Sequence, residues 1–313
     1  MAELTARRLD LTWLRDNGVY LAIVLLLLYN LVFTDNFATV ANLNTQLVQV
    51  APVLIVALGM ALVIGTEGVD LSVGSVMAIA AAVLPLYLGY GLVPAIAIAL
   101  LGGALCGLFS GTLVAVVGIQ PIVATLALLV GGRGLALVLA HGQLKDIRNV
   151  TLLDLGAGKA FGVPIVVLVA AGLTVLVALL VRYTTFGRQL VAVGGNRAAS
   201  VLAGLPVRQV LVVTYVISGV LAAIAGIVAT ARLTASDPSA IGQLYELSAI
   251  TAVVVGGTPL TGGRVRILGT VAGALLMQLI AATLIKNDLP SSIAQMVQAA
   301  IIIGAVYSQR GTR

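Results

Sequence analysis

The sequence predicts an all-α polytopic membrane protein of about ten transmembrane helices (8–10), with one short cytoplasmic helix and both termini cytoplasmic. Three observations lead there. Of 313 residues, 60% are hydrophobic and 9% charged; a soluble domain carries roughly 25% charge, so this chain cannot cover a water-facing surface. Apolar runs of spanning length, about 20 residues, follow one another along the whole chain. Lys and Arg gather in alternate connections, the bias that orients a chain in a membrane.

Taken in order, residues 1–16 (MAELTARRLDLTWLRD) are of mixed charge and amphipathic, and form a cytoplasmic segment. No A-x-A-like cleavage site is evident, so the first apolar run reads as a retained helix. The ten spans are 17–33, 45–65, 72–89, 92–117, 121–140, 164–182, 208–231, 245–256, 266–285 and 291–307. The eighth is short and continues into a Gly-rich turn; the count becomes eight if a short segment does not cross. With the N-terminus inside and all ten crossing, the inner side holds Arg7, Arg8, Arg15, Arg182, Arg188, Arg197, Arg208, Arg264, Arg266, Arg310 and Arg313. The outer side holds Lys145, Arg148, Lys159, Arg232 and Lys286, and Arg133 falls within a span. Eleven against five places both termini in the cytoplasm. Residues 141–163 form an external connection. Residues 183–207 form a cytoplasmic one that carries no acid. The chain reads as one membrane domain, 1–313. Its net charge of +6 reflects these cytoplasmic loops, with no nucleic-acid partner implied.

Catalysis has little to stand on. His141 and Cys106 are the sole histidine and cysteine, so no disulfide within the chain and no thiolate metal site is available. No H-E-x-x-H, G-x-S-x-G or metal-ligand cluster is present. The stretch GAGKA, 156–160, lacks the spacing of a phosphate loop. The expectation is a non-catalytic chain without cofactor or metal.

The stretch GTEGVDLSVGS, 65–75, puts two carboxylates between apolar runs. Its glycines interrupt helix, and Asp70 or Ser72 has the chemistry to cap the next span. Glu67, Asp70, Ser72 and Gly74 therefore mark a capped helix break, an ion or proton site, or a gate or partner contact; pattern leaves all three open. Residues 194–204, GGNRAASVLAG, form a short helix with Ala198, Ala199, Leu202 and Ala203 on one apolar face. Too short to span, it lies on lipid or on the bundle, or docks into a groove of another protein.

Small residues fill the spans: Gly102, Gly103, Gly107 and Gly111, then Ala222, Ala223, Ala225 and Gly226, then Gly269 and Gly273. This spacing brings helices close together. Polar residues inside spans are neutral: Gln46, Gln49, Thr125, Thr214, Ser218, Gln278, Thr283, Gln295 and Gln298. Most such groups bond between helices. A pathway lined by Gln46, Gln49, Thr125, Thr214, Ser218, Gln295 and Gln298 suits a neutral polar solute better than an ion. An internal echo links ALVIGTEGVDLSVGSVMAIAAAV to TAVVVGGTPLTGGRVRILGTVAGALL, about 190 residues later, as internal repeats do in transporters.

Five stretches carry a resemblance: ALGMALVIGTEGVDLSVGSVMAIA (57–80), GIQPIVATLALLVGGRGLALVL (118–139), TTFGRQLVAVGGNRAASVLAGLPV (184–207), TYVISGVLAAIAGIVATARL (214–233) and ELSAITAVVVGGTPLTGGRVRILGTVAGALL (246–276). In this order they resemble the transmembrane permease subunits of bacterial sugar-uptake ABC transporters of the ribose, galactose and galactofuranose type. Glu67 departs from that pattern, which usually has Gly there. The resemblance implies a second permease subunit, identical or paralogous, and a cytoplasmic ABC ATPase that binds ATP and Mg in place of this chain. It also implies a periplasmic sugar-binding protein and a place in the lipid of the bacterial inner membrane. It makes the 183–207 loop the coupling segment, carried by Gly194, Gly195, Asn196, Arg197, Ala198, Ala199 and Gly204. Two further readings stay open at this point. One is a proton-coupled carrier using Glu67 or Asp70, or a scaffold that transports nothing. The other is a sister ABC permease for a nucleoside, an autoinducer-like furanosyl compound or a branched-chain amino acid.

Overall fold

A computed structural model describes residues 11–34, 36–287 and 289–309. Helices α1 (Leu11–Phe33), α2 (Val40–Gly65), α3 (Val73–Tyr87), α4 (Leu92–Thr112) and α5 (Pro121–Leu139) come first. A short pair Lys145–Asp146 (β1), helix α6 (Val150–Ala157) and strands β2 (Lys159–Ala160) and β3 (Val163–Pro164) follow. Then come α7 (Ile165–Tyr183), α8 (Thr185–Gly195), α9 (Arg197–Leu202), α10 (Val207–Leu233), β4 (Ala235–Ser236), α11 (Tyr245–Val255), α12 (Ile267–Lys286) and α13 (Ser291–Gln309). Among the described residues seven helices are long and apolar enough to cross a membrane: α2, α3 with its 3-10 turn, α4 with its π turn, α5, α7, α10 and α12. The molecule is a polytopic membrane protein built of helices.

Burial sorts the helices. In their most apolar windows α2 is 78% buried and α10 67%, whereas α4 and α5 are 22% and α7 17%. The first two form the centre and the last three face lipid. Glycine sets the spacing at the centre. A Cβ added at Gly103 would meet the Gly219 carbonyl, and one at Gly107 the Tyr215 carbonyl, so α4 and α10 touch backbone to backbone. Gly226 lies likewise on Met77 of α3, and Gly273 on Ala252 of α11. Inside α2, Pro52 cannot donate to the Val48 carbonyl. Arg232 at the end of α10 donates to that carbonyl instead, at 3.4 Å.

Four expectations change. The helix expected from residue 45 begins at Val40, where the Thr39 hydroxyl accepts from the Asn42 N–H at 3.3 Å. The 141–163 connection contains α6, and Lys145–Asp146 pairs antiparallel with Ala235–Ser236. The eighth predicted span is an 11-residue helix; at 1.5 Å per residue it covers about 16 Å, half of a ~30 Å hydrocarbon core, and does not cross alone. The helix expected over 194–204 is split at Asn196 into the end of α8 and the six-residue α9. Two consecutive glycines end α8, and the Asn196 side chain starts α9 by accepting from the Ala199 N–H at 2.9 Å. Most of the predicted 1–16 segment, with Arg7 and Arg8, lies outside the described residues, as do Arg310 and Arg313.

Candidate functional site

The predicted break lies between α2 and α3. Helix α2 stops as Thr66, Glu67 and Gly68 turn back on its last carbonyls: Glu67 N–H donates to Ile64 at 2.9 Å and Gly68 N–H to Val63 at 3.1 Å. Glu67 takes a left-handed φ of 65°, a conformation that favours glycine, and its side chain is exposed. Asp70 is 2% exposed. Its carboxylate accepts from the Ser72 N–H at 3.0 Å, from the Ser72 hydroxyl, and from the Ser218 hydroxyl of α10 at 2.8 Å. Ser72 stands at the N-cap of α3 but its side chain caps nothing. The expectation that the Ser72 side chain caps the helix is thus corrected: its hydroxyl donates to Asp70, which also ties the break to α10.

Three Gly-rich turns converge on this break. The Gly263 N–H donates to the Gly65 carbonyl at 3.1 Å. A Cβ on Gly194 would run into that same carbonyl, and one on Gly262 would lie 2.8 Å from Glu67 N and 2.8 Å from the Gly194 carbonyl. The end of α8, the end of α2 and the α11–α12 turn are therefore in backbone contact. Helix α9 projects from this junction. Ser200 is buried, whereas Val201 is 59% and Leu202 90% exposed. Asn196, Arg197, Ala198, Ala199 and Gly204 are exposed too; Gly194 is buried and Gly195 is not. Arg188, Arg197, Arg208 and Arg264 are exposed.

The residues read as pathway lining divide into two groups. Gln278 of α12 donates to both Gln46 and Gln49 of α2, each at 2.8 Å. Gln278 also lines a cavity of about 130 Å³ with Val50, Ser248 of α11 and Gln295 of α13. Thr125, Thr214 and Ser218 lie elsewhere, buried inside the bundle. Thr214 bonds to the Val210 carbonyl at 2.7 Å, Thr125 to those of Pro121 at 2.9 Å and Val69 at 3.3 Å. The Gln298 side chain lies outside the described residues. Among the described residues no group of His, Cys, Asp and Glu could hold a metal ion.

A second polar centre went unread in the sequence. Arg133 of α5 donates to the carbonyls of Pro238 at 2.8 Å, Ile241 at 2.7 Å and Gly74 at 3.4 Å. These carbonyls belong to the segment leading into α11 and to the start of α3. Glu246, in the first turn of α11, lies beside Gly74. The signal for Arg133 was its charge inside a span. Glu246 opens a run that looks like any helix start, so no signal marked it.

A family model described as branched-chain amino acid transport system / permease component matches residues 42–306. The chain is 41% identical over 266 residues to the galactofuranose transporter permease protein YtfT of Escherichia coli (strain K12), covering 84% of this chain and 78% of that one. To the ribose import permease protein RbsC of the same strain it is 36% identical over 300 residues, covering 94% and 93%. To the fructose import permease protein FruF of Bifidobacterium longum (strain NCC 2705) it is 38% identical over 292 residues, covering 88% and 81%. No solved structure matches the chain.

Proposed function

The chain belongs to the family of branched-chain amino acid transport system permease components, and from that membership we propose that it is the membrane subunit of an ATP-driven monosaccharide importer. The sugar class is favoured over an amino acid by the relatives, which are named for galactofuranose, ribose and fructose. The Gln46–Gln49–Gln278 cluster offers neutral donors and acceptors of the kind that sugar hydroxyls bond to.

The observation that carries the reading is the junction of Gly194, Gly65 and Gly263 beneath an exposed α9. In this proposal the Leu202 and Val201 side chains seat in an apolar groove of a separate cytoplasmic ABC ATPase, with the neighbouring arginines on its acidic rim. Closure of the ATPase pushes α9; the push passes through α8 to the α2–α3 break and the bundle alternates its access. A periplasmic binding protein delivers the sugar, a second permease subunit completes the pathway, and ATP and Mg stay with the ATPase. The bacterial inner membrane is the setting. In this mechanism Asp70 is a tie between helices; a carrier would use it as a proton site.

Sugar uptake into proteoliposomes separates the two. The importer takes up sugar only with ATPase, binding protein and ATP present, and an uncoupler leaves the rate unchanged. Uptake by the lone chain that an uncoupler abolishes would establish the proton-coupled carrier instead.

A further inference from the structure

The segment 237–244 descends from β4 to the start of α11 and is pressed onto the start of α3. Gly74 and Gly242 meet there so closely that a Cβ on either would strike the carbonyl of the other. The segment is braced from within: Asp237 accepts from Ser239, a bond that holds its carboxyl below the usual carboxylate range. It is fastened from outside by Arg133, which grips the Pro238 and Ile241 carbonyls. Arg133 donates to backbone oxygens, among them the Gly74 carbonyl, and the Glu246 carboxylate lies against the same Gly74. One oxygen of that carboxylate, Glu246 Oε2, is buried without a hydrogen-bond partner. A guanidinium inside a membrane is costly without partners, and so is a buried acceptor left unmade. An arginine with one set of partners filled and a second, charged set within reach has two discrete arrangements.

We propose that Arg133 and Glu246 form a two-position latch on the 237–244 segment. In this structure the guanidinium clamps the segment to α3; when the segment lifts during transport, the guanidinium transfers to the Glu246 carboxylate. The latch rests on the permease reading, since it needs a transport cycle to drive it. It couples α3 and α5 on one side to α11 on the other, and its elements are the two glycines that permit contact and the two charges that exchange partners.

The test uses the whole complex, with ATPase and binding protein, in nanodiscs. Cys106→Ser supplies the parent, Ile241→Cys reports on a position 3% exposed in the clamped state, and Ala240→Cys is an exposed reference. Labelling by an impermeant maleimide is timed without nucleotide and after trapping with ATP and vanadate. The Ile241→Cys rate differs about tenfold between the two states, a typical size for a coupled equilibrium, while Ala240→Cys labels equally. Glu246→Gln, nearly isosteric, removes the receiving charge and keeps labelling slow in both states. Arg133→Lys offers a single ammonium in place of the fork and makes labelling fast in both. Equal rates in an active parent overturn the latch alone. State dependence that survives Glu246→Gln while uptake falls assigns the carboxylate to the solute and also overturns it. A parent whose ATP hydrolysis ignores the binding protein overturns the permease reading, and the latch with it.

Discussion

Glu67 sits where a side chain is least comfortable. Its φ of 65° costs an L-residue roughly 1–2 kcal/mol, and glycine returns somewhat less than that through its freer unfolded chain. Glu67→Gly is therefore expected to stabilise the protein by about 0.5–1 kcal/mol, seen as a higher Tm in detergent. The strain is kept at an exposed carboxylate, as strain is kept at functional sites. The proposed role as a partner contact predicts that the stabilised variant loses ATPase stimulation; unchanged stimulation would remove Glu67 from the mechanism. Asp70 is the opposite case. It is buried, with three donors converging on it. Asp70→Ala leaves those donors unmade and costs about 3 kcal/mol; Ser218→Ala removes one of them and costs about 1 kcal/mol. Denaturation of the purified chain reads both. The sequence marked both carboxylates but could not separate their roles, because the burial of Asp70 depends on a partner 148 residues away on α10.

At the scale of elements, the long apolar helices were legible and their joints were not. Runs such as 208–231 identify themselves through hydrophobicity, which a membrane enforces along the whole segment. The joints depend on tertiary contact. The split at Asn196 follows from a Gly-Gly pair that could equally have continued a helix, and it has a consequence that can be measured. Asn196→Ala removes the α9 cap and is expected to cost about 1 kcal/mol, seen as faster amide exchange over 197–202. Half-helix α11 was expected as a short span; what the sequence hid was that the chain returns to α3 before it begins. The internal echo has a structural counterpart: α2–α3 and α11–α12 are both helix, Gly-rich turn, helix, and the two turns bond to each other through Gly263 and Gly65. Gly194 reports on that joint. Its Cβ would meet backbone on both sides, which cannot give way, so Gly194→Ala is expected to lower uptake more than ATP hydrolysis in proteoliposomes. Equal losses would mean that the joint does not transmit.

For the molecule as a whole, the class follows from composition, whereas the proposed relay from α9 to the break is a property of the assembled bundle. Its central claim is that the exposed face of α9 is where ATP hydrolysis is coupled to movement of the break. The most direct measurement is ATP hydrolysis by the reconstituted complex, with and without sugar-loaded binding protein. Wild type is set against Leu202→Ser and against the double change Asn196→Ala with Arg197→Ala. Leu202 is 90% exposed, so Leu202→Ser leaves the Tm unchanged. The account predicts sugar-stimulated hydrolysis in wild type and a loss of about tenfold in both variants, the 1.4 kcal/mol that one buried apolar anchor supplies at an interface. Full stimulation in both variants, with the Tm of Leu202→Ser unchanged, would contradict it.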